Sequence, residues 1–321
     1  MNNEIKRTLR ALSSSTFFTS RQPAVATRKP TNSFGPRDSR PPLPQHRRGG
    51  ITGIHVTRNL TCPPLDKVAT NTLDGDGPEL VTKYLTKEGY EFSKLGSFRF
   101  GTLLAYRSNE VSLKSTGRFT DEQEGTQQHI FNSRSGYFNS FKYSGVHIKN
   151  TIIQGMDNDV VVEFQANAYC ACVSQGAYDP RQMSALKQNG NSDITHFVTY
   201  DLKRLRGALS DLIASDDEWK DCSLIGRPII YGAKDRHWEV EDSFSDDNQR
   251  APLAIFMGLA FVKDKARFEH ENEYRLMIVN SLLIGQLKAD AAPHAFEHES
   301  IAACIVACGE LSESAGNAEL A

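Results

Sequence analysis

The sequence predicts an α+β fold: one domain with a mostly antiparallel or split sheet and a few helices, preceded by a disordered N-terminal extension. Three observations carry this. Short segments alternate apolar and polar residues at the period of a strand, helical spacing recurs between them, and the two never settle into a β-α-β repeat. The chain has 321 residues, 39% hydrophobic and 24% charged, which is ordinary for a globular protein with room for one large core.

The first 50 residues hold ten Lys or Arg, two acids (Glu4 and Asp38) and six prolines from Pro23 to Pro44, so they read as a disordered, basic, Pro/Ser-rich extension. Besides plain disorder, that composition suits a targeting peptide or a tail that contacts nucleic acid or a partner. Residues 51–78 read as a linker or peripheral segment, 79–312 as the globular domain and 313–321 as a disordered tail. Set against totals of 37 basic and 39 acidic residues, the extension leaves 27 basic and 37 acidic residues for the rest, a net charge of −10. An acidic body argues against a broad phosphate-binding face outside the tail.

Asp74 to Pro78 reads as a turn, followed by a strand over Leu80–Leu85. Thr86 is placed to cap a short helix that carries Tyr90 and Leu95 and ends at Gly96. From Phe98 to Leu103 the alternation puts Phe98, Phe100 and Thr102 on one strand face and Arg99 on the other. A long polar connection then runs from Ser108 to about Phe131, long enough to suggest a functional loop. Val160–Ala166 and Ala168–Ser174 read as strands, the first buried on both faces through its Val-Val-Val run. Asp201 caps a helix with Leu202, Leu205, Leu209 and Leu212 at near-helical spacing. Pro228–Tyr231, Glu273–Val279 and Ile301–Cys308 complete the strands.

The longest apolar run, Leu253–Val262, is roughly half of what spans a bilayer, so no membrane span is read. Six cysteines at 62, 170, 172, 222, 304 and 308 lack disulfide-framework spacing and suit a reducing, cytoplasmic setting. Cys170 and Cys172 share a strand face, and Cys304 and Cys308 read as core. His294 and His298 would share a helical face, but no zinc site is read with those cysteines. Gly-rich phosphate loops, CxxC pairs and GxSxG elbows are absent from the sequence, which disfavours Rossmann redox, P-loop and α/β-hydrolase chemistry.

Two acidic blocks remain. In Glu271-Asn272-Glu273-Tyr274-Arg275, strand periodicity puts Glu271, Glu273 and Arg275 on one face. The structural reading is an ion pair of Glu273 with Arg275 or Arg107; the functional one is a carboxylate that binds a sugar hydroxyl or stabilises a cation. In Phe119-Thr120-Asp121-Glu122-Gln123-Glu124, Asp121 and Glu124 could cap a turn or bind a metal. Converging with Glu271 and Glu273, they would suit Mg²⁺.

The order of blocks resembles a widespread, mostly bacterial family of unknown function. Its members carry a Lys-Tyr strand (Lys83-Tyr84 here), a Phe-Asn-Asp-Pro-x-Glu motif (Phe119–Glu124), a Cys-Phe-Ser strand (Cys172-Val173-Ser174) and a closing Glu-x-Glu-Tyr-Arg (Glu271–Arg275). That layout is similar to the ADP-ribosyltransferase-like fold. The resemblance implies NAD as co-substrate, held by Lys83, Tyr84, Phe98, Phe100, Arg107, Asp121 and Glu124, with Glu273 and Glu271 catalytic. Glu273 would stabilise oxocarbenium character as nicotinamide leaves, and an aromatic face from Tyr84 or Phe100 would stack the ring. The expected activity is transfer of ADP-ribose to a macromolecular acceptor, in a defence or toxin-type effector. Two alternatives stand beside it: a non-enzymatic nucleotide- or partner-binding module, and a metal-dependent nuclease or phosphoesterase built on the four acids.

Overall fold

A computed structural model describes residues 53–59, 74–107, 124–143, 146–152, 159–189, 192–219, 221–245, 252–280, 287 and 291–311. Residues 1–50, 313–321 and Asp121 lie outside them.

The expected α+β architecture is present, built on a main sheet of eight strands. Six follow one path: β10 (Cys222–Pro228), β15 (Glu273–Asn280), β8 (Tyr169–Gln175), β2 (Leu80–Leu85), β9 (His196–Asp201) and β17 (Ile305–Glu310). Each of these neighbours pairs antiparallel. The sheet is also split. One end of β8 pairs with β2 through Ser174 and Gln175, while its other end pairs with β3 (Ser97–Thr102) through Tyr169 and Cys170. On its far side, β3 takes up β16 (His294–Glu297). Where β2 and β3 diverge, the Lys83 ammonium lies 3.9 Å from the Phe98 ring centroid and donates to the Arg99 carbonyl at 3.4 Å.

A second sheet orders β1 (Ile54–Asn59), β7 (Asp159–Gln165), β4 (Thr126–Ser133) and β12 (Arg236–Val240), with parallel outer pairs and an antiparallel centre. A third joins β13 (Ser243–Ser245), β5 (Tyr137–Tyr143) and β6 (Val146–Ile152). The two-residue strands β11 (Ile230–Tyr231) and β14 (Val262–Lys263) pair parallel.

Strand parity sorts the core. On β15, Tyr274, Leu276 and Ile278 join Phe98, Phe100, Val81 and the buried stripe Leu202, Leu205, Leu209 of α3 (Leu202–Ser215) on one face. Met277 and Val279 point to the opposite face, into a core shared with the second sheet and with α4 (Pro252–Phe261). That helix is the apolar run of the sequence, apolar on every side because, from Ile255 to Phe261, it is buried on every side. Among the described residues no helix is long and apolar enough to cross a membrane.

Local chemistry fixes several boundaries. Thr86 caps α1 (Lys87–Lys94), its hydroxyl accepting from Gly89 N at 3.3 Å, and Asp201 caps α3 by accepting from Arg204 N at 2.9 Å. Gly96 ends α1 at φ +87°, where an added Cβ would sit 2.2 Å from the His298 carbonyl oxygen. Gly96→Ala is expected to cost about 1–3 kcal/mol through strain and clash together, read as a lower urea midpoint at constant slope.

Other expectations are corrected. The polar connection ends earlier than Phe131: β4 begins at Thr126, and its alternating burial was hidden by polar Gln127, Gln128 and His129. Within the stretch read as a linker or peripheral segment, Ile54–Asn59 forms edge strand β1. The Val160–Val162 run alternates between buried and half-buried instead of being buried on both faces. Pro228 ends β10, and only Ile230–Tyr231 continue as strand. His294 lies on a strand and His298 caps α6 (Glu299–Ala302), so the two share no helical face. Cys304 is buried just after α6, whereas Cys308 is exposed on β17.

Candidate functional site

Glu124, the last residue of the first acidic block, meets Arg275 of the second. The turn that precedes β4 delivers Glu124, held by Gly125 at φ +67°, where a Cβ would press to 2.6 Å from the Ala166 carbonyl oxygen. A 3₁₀ turn, Glu269–Glu271, ends at Asn272 in the left-handed region (φ 43°), and β15 starts at Glu273. Here Glu273 N donates to the Tyr231 hydroxyl at 2.7 Å, and Ile229 N donates to the Glu273 carbonyl at 2.9 Å.

Arg275 is the hub, 1% exposed. Its Nε donates to Glu273 Oε1 at 2.9 Å, Nη1 and Nη2 grip both Glu124 oxygens at 2.7 and 3.1 Å, and Nη1 also reaches the Ala260 carbonyl at the end of α4. This fork-on-fork pairing uses the guanidinium as only Arg can. Lys263, at the end of the same apolar run, lies 2.8 Å from Glu271 Oε2 and 2.6 Å from Glu273 Oε2. Glu124, Lys263 and Glu273 are all buried, as is Lys234 close by. The Cys172 thiol lies beside Glu273 and helps to lower its carboxyl.

Burial pushes the Glu273 carboxyl upward, but the Arg275 and Lys263 charges outweigh it and hold it well below the usual carboxylate range. Glu124 is lowered in the same way, against burial, chiefly by Arg275. Glu271, farther from Arg275, goes the other way: burial raises it to about 7 despite Lys263. Burial would lower Lys263 and Arg275, yet their carboxylates keep both well above their ordinary values. Hydrogen bonding with Cys170, then burial and Glu273, keep Cys172 protonated, which disfavours it as a thiolate nucleophile.

The signs have a pH consequence. Glu124 and Glu273 titrate lower in the folded chain, so their contribution is present above the ordinary carboxylate value of 4.5 and is lost as pH falls through the folded values. Glu271 titrates higher, so the native state takes up a proton between about 7 and 4.5, and stability falls as pH rises through that window. Glu271→Gln is expected to flatten the unfolding free energy between pH 5 and 8 by on the order of 2 kcal/mol, measured by urea titration at each pH.

Other expected site residues lie elsewhere. Phe98 and Phe100 have no exposed surface and sit on the face opposite Glu273, locked edge-to-face with one another, so neither offers a ring for stacking. Lys83 packs on Phe98 on that same side, and burial lowers its pKa to about 8. The Tyr84 hydroxyl donates to the Asp179 carbonyl at 3.3 Å and accepts from Asp179 N at 3.2 Å. Arg107, half-buried near Glu163 and Glu124, is not the partner of Glu273; Arg275 and Lys263 are.

No protein-family model, curated protein or solved structure matches the chain.

Sequence reasoning missed Lys263, Tyr231 and the Ala260 carbonyl. One signal was available for the first: a single Lys directly after ten mainly apolar residues must either snorkel or meet acids. The convergence posed for a metal does bring Glu124, Glu271 and Glu273 together, but with two cations between them. Their oxygens already face Arg275 and Lys263, and among the described residues no group of three or more His, Cys, Asp or Glu is placed to hold a metal ion.

Proposed function

We propose that this chain acts as a non-enzymatic binding module for a nucleotide or partner, and that Glu273 holds the fold together instead of turning over NAD. One observation carries this reading: both Glu273 oxygens face cations on a side chain only 3% exposed, Oε1 hydrogen-bonded by Arg275 and Oε2 ion-paired with Lys263 at 2.6 Å without hydrogen-bond geometry. A carboxylate that stabilises an oxocarbenium ion must face the sugar with its charge uncompensated. Here two cations neutralise it.

A second reading has its own support. Three blocks of the resemblance, represented by Glu124, Cys172 and Glu273-Arg275, converge at one point, and Glu271 titrates near neutrality beside a permanently ionised Glu273. Paired carboxylates with pKa values pushed apart are the raw material of glycosidic-bond chemistry. Under that reading Glu271, at the rim of the network, is the reacting group and ADP-ribose passes to a macromolecule.

Incubation with NAD, followed by assay of free nicotinamide and of labelled protein, separates the two. The binding-module reading expects neither product. Nicotinamide release accompanied by labelled protein, both lost in Glu271→Gln, would establish the transferase reading instead.

A further inference from the structure

A groove of about 1170 Å³ shares no lining residue with the Glu273 network, although Arg227 at its edge pairs in register with Arg275. It runs between the turn 74–79, the start of α3 and Arg227 at the end of β10. Pockets for small molecules span roughly 300–1,000 Å³, so the groove has room for a ligand of nucleotide size.

Most of its polar groups are already engaged. Asp74 accepts from Gly226 N at 2.8 Å and pairs with Arg206, which also reaches the Tyr274 hydroxyl. Asp201 is spent on its own helix cap, and Leu202 N donates to the Glu79 carbonyl at 3.0 Å, so the helix end offers little to a ligand. Arg227 differs. It is half-buried, its stem runs alongside Gly75, its guanidinium contacts the Met257 thioether at 3.9 Å, and the Asp74 carboxylate and the Tyr274 hydroxyl act on its charge, while among the described residues it has no salt bridge of its own. A Cβ at Gly75 would lie 3.1 Å from the Arg227 stem, which would have to give by a few tenths of an ångström. A guanidinium fork held in a groove without a direct salt bridge, its nearest carboxylate Asp74 being paired with Arg206, suits a phosphate oxygen pair.

The rest of the rim narrows the ligand class. Asp76 and Glu79 are exposed at the edge, where carboxylates repel an extended polyanion but accept hydrogen bonds from hydroxyls. We infer that this groove binds a phosphorylated sugar, free or as part of a nucleotide, with the phosphate on Arg227 and the sugar hydroxyls toward Asp76 and Glu79. The inference rests on the binding-module reading and gives it a location.

The test is thermal unfolding of the full chain with AMP, ribose 5-phosphate, adenosine and inorganic phosphate, repeated in two variants. Arg227→Gln removes the fork. Gly207→Leu fills the groove from α3, where a Cβ meets nothing within 4 Å. Saturating AMP or ribose 5-phosphate is expected to raise the wild-type midpoint by roughly 5–10 °C, adenosine is expected to be silent, and both variants should bind at least about tenfold more weakly. Response to AMP alone assigns a nucleotide, and response to both assigns the sugar phosphate. Inorganic phosphate acting as well as either removes the sugar from the proposal. A shift that survives both substitutions places the ligand elsewhere, overturning the groove while leaving the binding-module reading intact. Silence from every probe overturns the groove; nicotinamide release dependent on Glu271 would overturn the binding-module reading separately.

Discussion

Glu273→Gln is expected to lower the unfolding free energy by about 3–5 kcal/mol. The substitution keeps the shape of the side chain and removes its charge. Arg275 and Lys263 would remain buried, with Glu124 alone fully ionised against them at neutral pH. Breaking one member of a buried ion network costs far more than a surface pair because the remaining charges cannot return to water. Folded proteins hold roughly 5–15 kcal/mol in total, so the loss would take a large share of it and move the thermal midpoint down by about 10 °C or more. An unchanged midpoint in Glu273→Gln would mean that the carboxylate contributes nothing to the fold.

The second large effect concerns Arg275. Arg275→Met alone should cost a similar amount, since it strands Glu124 and Glu273 and leaves the Ala260 carbonyl without its donor. Replacing Glu124→Gln and Arg275→Met together should recover much of that loss, because neither member of that pair then stays buried and charged while Glu273 keeps Lys263 as its partner. A double-mutant cycle between Glu124 and Arg275 isolates the pair, and a coupling of several kcal/mol is the expected result. Additive losses would show that the two side chains do not act on each other.

The elements legible in the sequence were those whose signal is local. Thr86, Asp201 and Gly96 act on their own helix ends, and the alternation of Phe98, Arg99 and Phe100 is visible within six residues. Glu273 and Arg275 were rightly placed on one face, since strand parity needs no partner. The strand β4 escaped because its buried face carries Gln127, His129 and Ser133 beside Phe131, and the polarity of the first two is satisfied by distant groups: Gln127 donates to the Lys234 carbonyl at 2.8 Å, and His129 meets the Tyr143 hydroxyl at 2.6 Å. Lys263 was hidden for a related reason. Its two acids lie eight and ten positions along the chain, beyond a turn whose geometry depends on Asn272 adopting φ 43°. Phe98 and Phe100 were read correctly as strand residues sharing a face, but which side of a sheet meets which core is decided by tertiary packing.

The most direct test of whether Glu273 serves the fold or the chemistry is a paired measurement on wild type and Glu273→Gln: thermal midpoint and nicotinamide release from NAD, on the same samples. A midpoint lowered by about 10 °C or more, with no nicotinamide released by either protein, is the expected result. Release by wild type that vanishes in a Glu273→Gln protein of unchanged midpoint would contradict it.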